Sequence, residues 1–244
     1  MKFLFDLNGY MVVRNVLSKE EIAQANSAID AHKFNERTDK GLRNTKDHTP
    51  FSGDMKTGRF DMGGMLGWES PHREIFRKFL AHPKLVPYLH LVIGEGYRLD
   101  HSPLCIAQNK GSEGFSLHGG SIEPGSEILT PDIMYVCKNN TMWNTLVAAS
   151  FFLTDQNAGD GGFCVVPGSH KINFAPTLEM INGEDEEFYR DYVQQPVCSA
   201  GDVVIFSEAT IHGCLPWVPD RQRRIALYRF SPSNCGYARG YSHP

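Results

Sequence analysis

The sequence predicts one mainly β domain with several helices packed against it. From Arg98 onward, short apolar runs recur between clusters of Gly, Pro, Asn and Asp, which is typical of an all-β sandwich or barrel rather than of alternating βαβ units. The runs cover residues 104–107, 145–153, 163–166, 203–206 and 225–230. At 244 residues the chain has a usual length for one domain of this class. We therefore expect residues 1–244 to form a single domain.

The N-terminal part predicts one strand followed by helices. Residues 9–13 (Gly-Tyr-Met-Val-Val) are an apolar run after a turn residue, as in a short strand. Ser18 and Glu21 have the spacing of a capping box and predict a helix that ends near position 32. Ser70-Pro71, with Ser as the cap and Pro at the first helical position, predicts a helix to about position 80. A further helix is expected over residues 85–92.

Residues 33–66 separate these helices and show no apolar periodicity. The segment is polar and rich in Gly. A loop of such length inside a compact domain is usually functional or mobile. We expect residues 33–66 to form a loop, and a lid over a substrate is the obvious candidate role.

Composition argues for a small-molecule partner. The net charge of −4 and pI near 6.2 come without a basic stripe, which argues against a nucleic-acid partner. The apolar opening is interrupted by Asp6 and Asn8, so neither a signal peptide nor a membrane span is expected. Six scattered cysteines without a Cys-x-x-Cys are typical of reduced structural thiols and predict a cytoplasmic protein. The sequence leaves the oligomeric state open.

Residues 201–230 (GDVVIFSEATIHGCLPWVPDRQRRIALYRF) carry the residues of most chemical interest. We interpret them as a hairpin of two strands, 203–206 and 225–230, with a turn containing His212 and a Pro-rich loop between. An imidazole can bind a metal, and a guanidinium at the start of the second strand can grip a carboxylate by two parallel hydrogen bonds. The hypothesis that follows is an iron oxygenase consuming a 2-oxo acid.

Three histidines stand out by their surroundings, His118 in FSLHGGS, His170 in VVPGSHK and His212 in ATIHGCL. Over about residues 9–233, the chain resembles the phytanoyl-CoA dioxygenase family of iron(II)/2-oxoglutarate enzymes. The family's motifs are a His-x-Asp, a Gly-Gly segment ending in Pro-Gly-Ser-His-Lys, and a distal His followed by an Arg. Residues 161–171 (GGFCVVPGSHK) match the second motif and residues 201–212 match the third, while the opening GYMVVRNVLSKEEI resembles the family's usual start.

The resemblance implies a double-stranded β-helix, the jelly roll of cupin-like proteins, with helices on one sheet. By position, His118 and His212 would bind Fe(II), and Arg223 would hold the far carboxylate of 2-oxoglutarate. Strand alternation alone leaves Arg223 and Arg224 equivalent, and the resemblance selects Arg223. Cys214 falls where family members can place a small polar residue near the cosubstrate, although a thiol is a weak donor. His170 is assigned a structural role in its turn.

The chain departs from the family where His-x-Asp is expected, because it has His118-Gly119-Gly120 and Gly120 has no side chain to bind a metal. In a first interpretation, water or another carboxylate fills the gap and the enzyme hydroxylates an unactivated carbon. Candidates nearby in sequence are Glu123, Glu127 and Asp132. In a second, chloride occupies the gap and the protein is a halogenase, because halogenases of this class resemble it in having Gly or Ala there. In a third, the domain is a non-catalytic jelly-roll protein that binds a ligand.

The substrate is not encoded in any motif. A CoA thioester would favour a cationic entrance for its phosphates, and outside the cluster Arg221, Arg223 and Arg224 no such patch is evident. A smaller or more polar metabolite is therefore favoured. Residues that could line its pocket, or equally form the barrel core, are Trp143, Asn144, Phe151, Phe152 and Trp217.

Overall fold

The computed structural model describes residues 1–32, 45–125 and 128–237. The helices are α1 (Lys2–Asn8), α2 (Lys19–Ala31), α3 (His72–Phe79), α4 (Val86–Val92), α5 (Leu178–Asn182) and α6 (Glu186–Tyr192). The strands are β1 (Tyr10–Val13), β2 (Phe60–Met62), β3 (Arg98–Gln108), β4 (Phe115–His118), β5 (Tyr135–Lys138), β6 (Thr141–Asn144), β7 (Val147–Phe152), β8 (Gly162–Val165), β9 (Val203–Ser207), β10 (His212–Leu215) and β11 (Arg223–Ser231).

Two antiparallel sheets form the body of the fold, as the predicted jelly roll requires. The larger sheet has the order β1-β9-β7-β11-β3-β2, and the smaller has the order β4-β10-β8. Strands β5 and β6 form a separate two-stranded hairpin. The prediction of a mainly β fold with packed helices is confirmed.

The larger sheet is covered on both faces. Along β11, Ala226, Tyr228 and Phe230 pack in the core that contains the helices, whereas Ile225 and Leu227 pack in a second core with residues of β8. Successive side chains of a strand point to opposite faces, so both sets are apolar and the strand becomes a continuous apolar run. This double burial explains why the central strands were visible in the sequence.

The predicted capping box begins α2. The Ser18 hydroxyl accepts a hydrogen bond from the Glu21 amide at 3.2 Å, and the Glu21 carboxylate accepts one from the Ser18 amide at 2.7 Å. For α3, Pro71 is the N-cap residue and no side chain caps the helix, so the prediction of Ser70 as the cap is wrong by one position. The helix expected over 85–92 is confirmed as α4.

The predicted hairpin of strands 203–206 and 225–230 is wrong. In the larger sheet β7 lies between β9 and β11, and it pairs with both. The residues from His212 onward form β10 in the smaller sheet rather than a turn. The chain therefore crosses from the larger sheet to the smaller one between β9 and β10. The pattern of apolar residues within one strand does not indicate which sheet the strand belongs to.

Several elements were not predicted. Within the span 33–66, residues 60–62 form β2 at the edge of the larger sheet, while residues 33–44 lie outside the described residues. Helix α1 and the short helices α5 and α6 also escaped prediction. Among the described residues no helix has the length and apolarity that a membrane span needs, and no disulfide joins the cysteines.

Candidate active site

A cavity between the two sheets contains most of the residues that the sequence singled out. Strands of both sheets contribute to its wall, together with the segment before β2. Its lining residues are Arg59, Leu104, Ile106, Phe115, His118, Ser150, Phe163, Phe206, His212, Gly213, Cys214, Arg223, Ile225, Leu227 and Arg229. The wall thus combines apolar side chains with polar ones, among them three arginines and two histidines, as in many small-molecule sites.

The two histidines meet because their strands are neighbours. His118 ends β4 and pairs directly with His212, the first residue of β10. Their ring centroids are 4.2 Å apart. Nδ1 of His118 donates to the Ser116 carbonyl at 3.0 Å, and Nδ1 of His212 donates to the Thr210 carbonyl at 2.7 Å. Since a carbonyl can only accept, the protons of the neutral rings lie on Nδ1, and each Nε2 keeps its lone pair for a metal.

Both imidazoles are uncharged near neutral pH. Loss of hydration inside the protein and the neighbouring His212 lower the pKa of His118 to about 3. Burial likewise lowers the pKa of His212. Neutral imidazole is the form that binds a metal ion, so the pair needs no deprotonation to accept one.

A buried carboxylate, Glu208, lies beside the histidines and was missed by sequence reasoning. Its Oε1 accepts from Nε of Arg229 at 2.6 Å, and its Oε2 lies 3.5 Å from Nε2 of His212. Burial alone would raise the pKa of Glu208, but the charge of the Arg229 guanidinium and its hydrogen bond lower it to about 2. The side chain is therefore a carboxylate anion. An acid four residues before the distal His, in the apolar run VVIFSEATIH, was the available signal.

Arg223 and Arg224 lie on opposite sides of the larger sheet. Arg223 is 2% exposed and lines the cavity, where Nη1 donates to Oε1 of Gln108 at 2.9 Å and lies 3.6 Å from Sγ of Cys214. Arg224 instead forms an ion pair with Asp30 of α2 at 2.7 Å. The structure therefore places Arg223 and Cys214 at the cavity, and Gln108, which sequence reasoning missed, contacts both.

Two polar atoms of the cavity wall have no hydrogen-bond partner among the described residues. They are Nε of Arg223 and Oγ of Ser150, and both belong to buried side chains. Buried donors in folded proteins nearly always have partners, because an unsatisfied one costs about 1–3 kcal/mol. A bound carboxylate would give Nε of Arg223 the acceptor that it lacks. The residues present therefore fit 2-oxoglutarate, and the two Nε2 atoms fit Fe(II).

The glycines after His118 leave no side chain at the expected ligand position. Gly119 and Gly120 have φ of +89° and +95°, a backbone region that L side chains rarely adopt. A Cβ on Gly119 would lie 2.7 Å from the carbonyl oxygens of Glu208 and Thr210. Of the carboxylates proposed from sequence, Glu123 and Asp132 are exposed and do not line the cavity, and Glu127 lies outside the described residues.

Other sequence candidates lie elsewhere. Nε2 of His170 donates to the Asp6 carbonyl at 3.0 Å and its ring packs on Tyr135, in keeping with the structural role predicted for it. The five proposed pocket residues do not line the cavity: Trp143 is 61% exposed and the other four are buried in the fold. The aromatic residues of the cavity are Phe115, Phe163 and Phe206.

Arg59 is a further cavity residue that the sequence did not indicate. Its guanidinium lies 5.0 Å from the ring centroid of Phe115 and pairs with the Asp61 carboxylate at 2.9 Å. The ion pair orients the guanidinium, and the aromatic ring supports it by a cation–π contact. Arg59 thus places a positive charge on the wall contributed by the segment before β2.

Comparison with known proteins identifies the same architecture. The family model described as phytanoyl-CoA dioxygenase matches residues 5–225. HygX from Streptomyces hygroscopicus, solved with nickel, 2-oxoglutarate and hygromycin B, is similar with a TM-score of 0.75 and 19% identity over 99% of this chain and 94% of that chain. AviO1 from Streptomyces viridochromogenes Tue57 gives a TM-score of 0.67 and 17% identity over 97% and 96%.

A third similar structure is SnoN, a non-heme alpha ketoglutarate dependent epimerase from nogalamycin biosynthesis. It gives a TM-score of 0.65 and 17% identity over 95% of this chain and 82% of that chain. At such identities the likeness establishes a shared fold. No curated protein sequence matches the chain significantly.

Proposed function

Because the chain belongs to the phytanoyl-CoA dioxygenase family and is an iron(II)- and 2-oxoglutarate-dependent oxidoreductase, we propose that it hydroxylates an unactivated carbon of a small-molecule metabolite. The single observation that carries the proposal is the cavity that combines two free imidazole Nε2 atoms with the buried guanidinium of Arg223. When bound, iron with 2-oxoglutarate and oxygen supplies the oxidising power for such a reaction.

The protein's residues have distinct roles in this proposal. His118 and His212 hold the metal through Nε2, and their Nδ1–H bonds to backbone carbonyls fix the ring orientations. Arg223 binds the far carboxylate of 2-oxoglutarate, and its Nε is the donor without a partner among the described residues. Gln108 holds the guanidinium in place from the other side, and Cys214 contacts both.

The apolar wall positions the substrate and excludes water from the reacting carbon. Phe115, Phe163 and Phe206 supply much of that wall. A water-poor cavity strengthens the interactions of the buried charges and protects reactive species from side reactions. Arg59 adds one positive charge, which favours a substrate carrying a polar or anionic group rather than a purely apolar one.

A small metabolite is the substrate class that we propose. HygX was solved with hygromycin B, and SnoN has been solved with nogalamycin RO. Both are small-molecule ligands bound to proteins of this fold, which supports the proposal for this chain.

The absence of disulfides among its cysteines supports action in the cytoplasm.

Chlorination is the alternative that Gly120 suggests. The nearest atom to a Cβ at Gly120 would be 3.7 Å away, so there is room near this position. The carboxylate of Glu208, however, already brings negative charge to the histidine pair, which disfavours a chloride ion there. Family membership stands against the third alternative, a non-catalytic ligand-binding protein.

Succinate release with a panel of small polar metabolites tests the proposal. The purified enzyme with Fe(II), 2-oxoglutarate and oxygen should release succinate in step with a product one oxygen atom heavier than the substrate. His212→Ala should release none, while Arg224→Met, altered on the other side of the same sheet, should behave as the wild type. If the wild-type protein fails to bind 2-oxoglutarate in the presence of Fe(II), the proposal is wrong.

A further inference from the structure

The carboxylate of Glu208 lies beside His212, the residue that pairs with His118 across β10 and β4. Glu208 is 5% exposed, and its Oε2 lies 3.5 Å from Nε2 of His212. Nδ1 of His212 donates to the Thr210 carbonyl, so Nε2 is the ring nitrogen that faces the Glu208 oxygen. An imidazole nitrogen and a carboxylate oxygen are both common metal ligands, and two that lie side by side can bind the same ion.

The separation suits a shared ion. Nitrogen and oxygen ligands that each lie about 2.1 Å from one metal are roughly 3.0–3.5 Å apart when they subtend a right or tetrahedral angle. The observed 3.5 Å falls at the upper end of that range. Within the described residues no three His, Cys, Asp or Glu side chains form a complete metal site as they stand, so the carboxylate must turn to complete one. The terminal torsion of Glu is broad enough to permit this turn.

A line of hydrogen bonds behind Glu208 engages one of its two carboxylate oxygens. Arg229 donates from Nε to Oε1, and its Nη1 lies 3.2 Å from Nε2 of His101. The other nitrogen of His101 lies 2.8 Å from the buried Asp100 carboxylate. Asp100 therefore favours the proton on Nδ1 of His101, which leaves Nε2 to accept from Arg229. This line of hydrogen bonds occupies Oε1 and leaves Oε2 for another partner.

We propose that Glu208 is the anionic ligand of the iron, in place of the aspartate that Gly120 cannot supply. The inference rests on the proposed function and adds the residue that completes the metal site. Glu208 reaches the ion from the turn between β9 and β10, four residues before His212, rather than from the end of β4. With this carboxylate the two histidines and one acid would supply the donor set that suits Fe(II).

Cobalt(II) titration of the wild type and of Glu208→Gln under anaerobic conditions tests the ligand directly. Glutamine keeps the size of the side chain and removes its charge. We expect the Kd for Co(II) to rise at least about tenfold, because loss of a group that only orients a metal ligand already weakens metal affinity by about that factor. The visible d–d absorption of bound Co(II) should also change, which a merely structural role would not produce. Glu21→Gln removes an ion-paired glutamate away from the cavity and should leave both readouts unchanged.

The outcomes separate the two proposals. If the wild type binds Co(II) and Glu208→Gln binds it equally well with the same spectrum, Glu208 is not a ligand and the proposed function is unaffected. If the wild type does not bind Co(II), the proposed function falls and the inference falls with it. Should Glu208→Gln not fold, the infrared difference between apo and zinc-loaded wild type decides: a shifted carboxylate stretch supports the inference, and an unchanged one overturns it.

Discussion

Arg223 and Arg224 provide a matched pair of substitutions for the cosubstrate site. They are adjacent in sequence and carry the same charge, but only Arg223 lines the cavity. We predict that Arg223→Met weakens binding of 2-oxoglutarate, whereas Arg224→Met does not. Methionine keeps most of the length of the side chain and removes the donors in both cases.

The size of the effect follows from the donors of Arg223. Nη1 already donates to Gln108, whereas Nε has no partner among the described residues and is available to the carboxylate. One or two hydrogen bonds between charged groups contribute about 1.5–3 kcal/mol each, so a total near 3 kcal/mol is expected. That free energy corresponds to a rise of about 150-fold in the Kd for 2-oxoglutarate.

Anaerobic titration of the Fe(II)-loaded protein with 2-oxoglutarate measures this Kd, through the weak visible charge-transfer band or by calorimetry. The affinity for Co(II) without 2-oxoglutarate serves as the control, because neither arginine is expected to bind the metal. A Kd for 2-oxoglutarate that is unchanged in Arg223→Met, or that rises only in Arg224→Met, would refute the assignment of the carboxylate site.

Further substitutions test the fold and the chemistry. Ser18→Ala should lower the free energy of unfolding by about 1 kcal/mol in urea denaturation, because it removes half of the capping box. Burial raises the pKa of Glu21, but Lys78 and the Ser18 amide lower it to about 2. The contribution of Glu21 to the free energy of unfolding should therefore be complete above pH 4.5 and be lost as the pH falls toward 2. Glu21→Gln should flatten this part of the pH profile of stability. Gly114→Ala should prevent folding, since the new Cβ would lie 1.7 Å from a backbone oxygen, whereas Gly58→Ala meets no atom within 4 Å and should give a normal circular dichroism spectrum. If Glu208 binds the metal in the position that chloride would take, turnover in chloride buffer should give no chlorinated product by mass spectrometry. A chlorinated product would restore the halogenase interpretation.

The sequence revealed the central strands because they are buried on both faces. Ile225 and Leu227 pack toward one core while Ala226 and Tyr228 pack toward another, so the strand reads as one apolar run. The order of the strands could not be obtained in the same way. Neighbours in a jelly roll come from distant parts of the chain, and periodicity within one strand carries no information about its partner.

The residues of the candidate site that lie in recognisable motifs could be predicted from the sequence, and the others could not. His118, His212 and Arg223 fall in segments with recognisable spacing, and the structure brings all three to one cavity. Glu208 and Gln108 escaped notice because their importance arises from contacts across strands rather than from local sequence. Glu208 lies in the connection between β9 and β10. A replacement for the missing aspartate was instead sought in the segment that follows Gly120.

Crystals grown without oxygen and soaked with Fe(II) and 2-oxoglutarate offer the most direct measurement of the central claim. Anomalous diffraction at the iron edge should show one strong peak within bonding distance of Nε2 of His118, Nε2 of His212 and a carboxylate oxygen of Glu208. A peak bound by the histidines alone would remove Glu208 from the metal site. Iron located away from both rings would contradict the account as a whole.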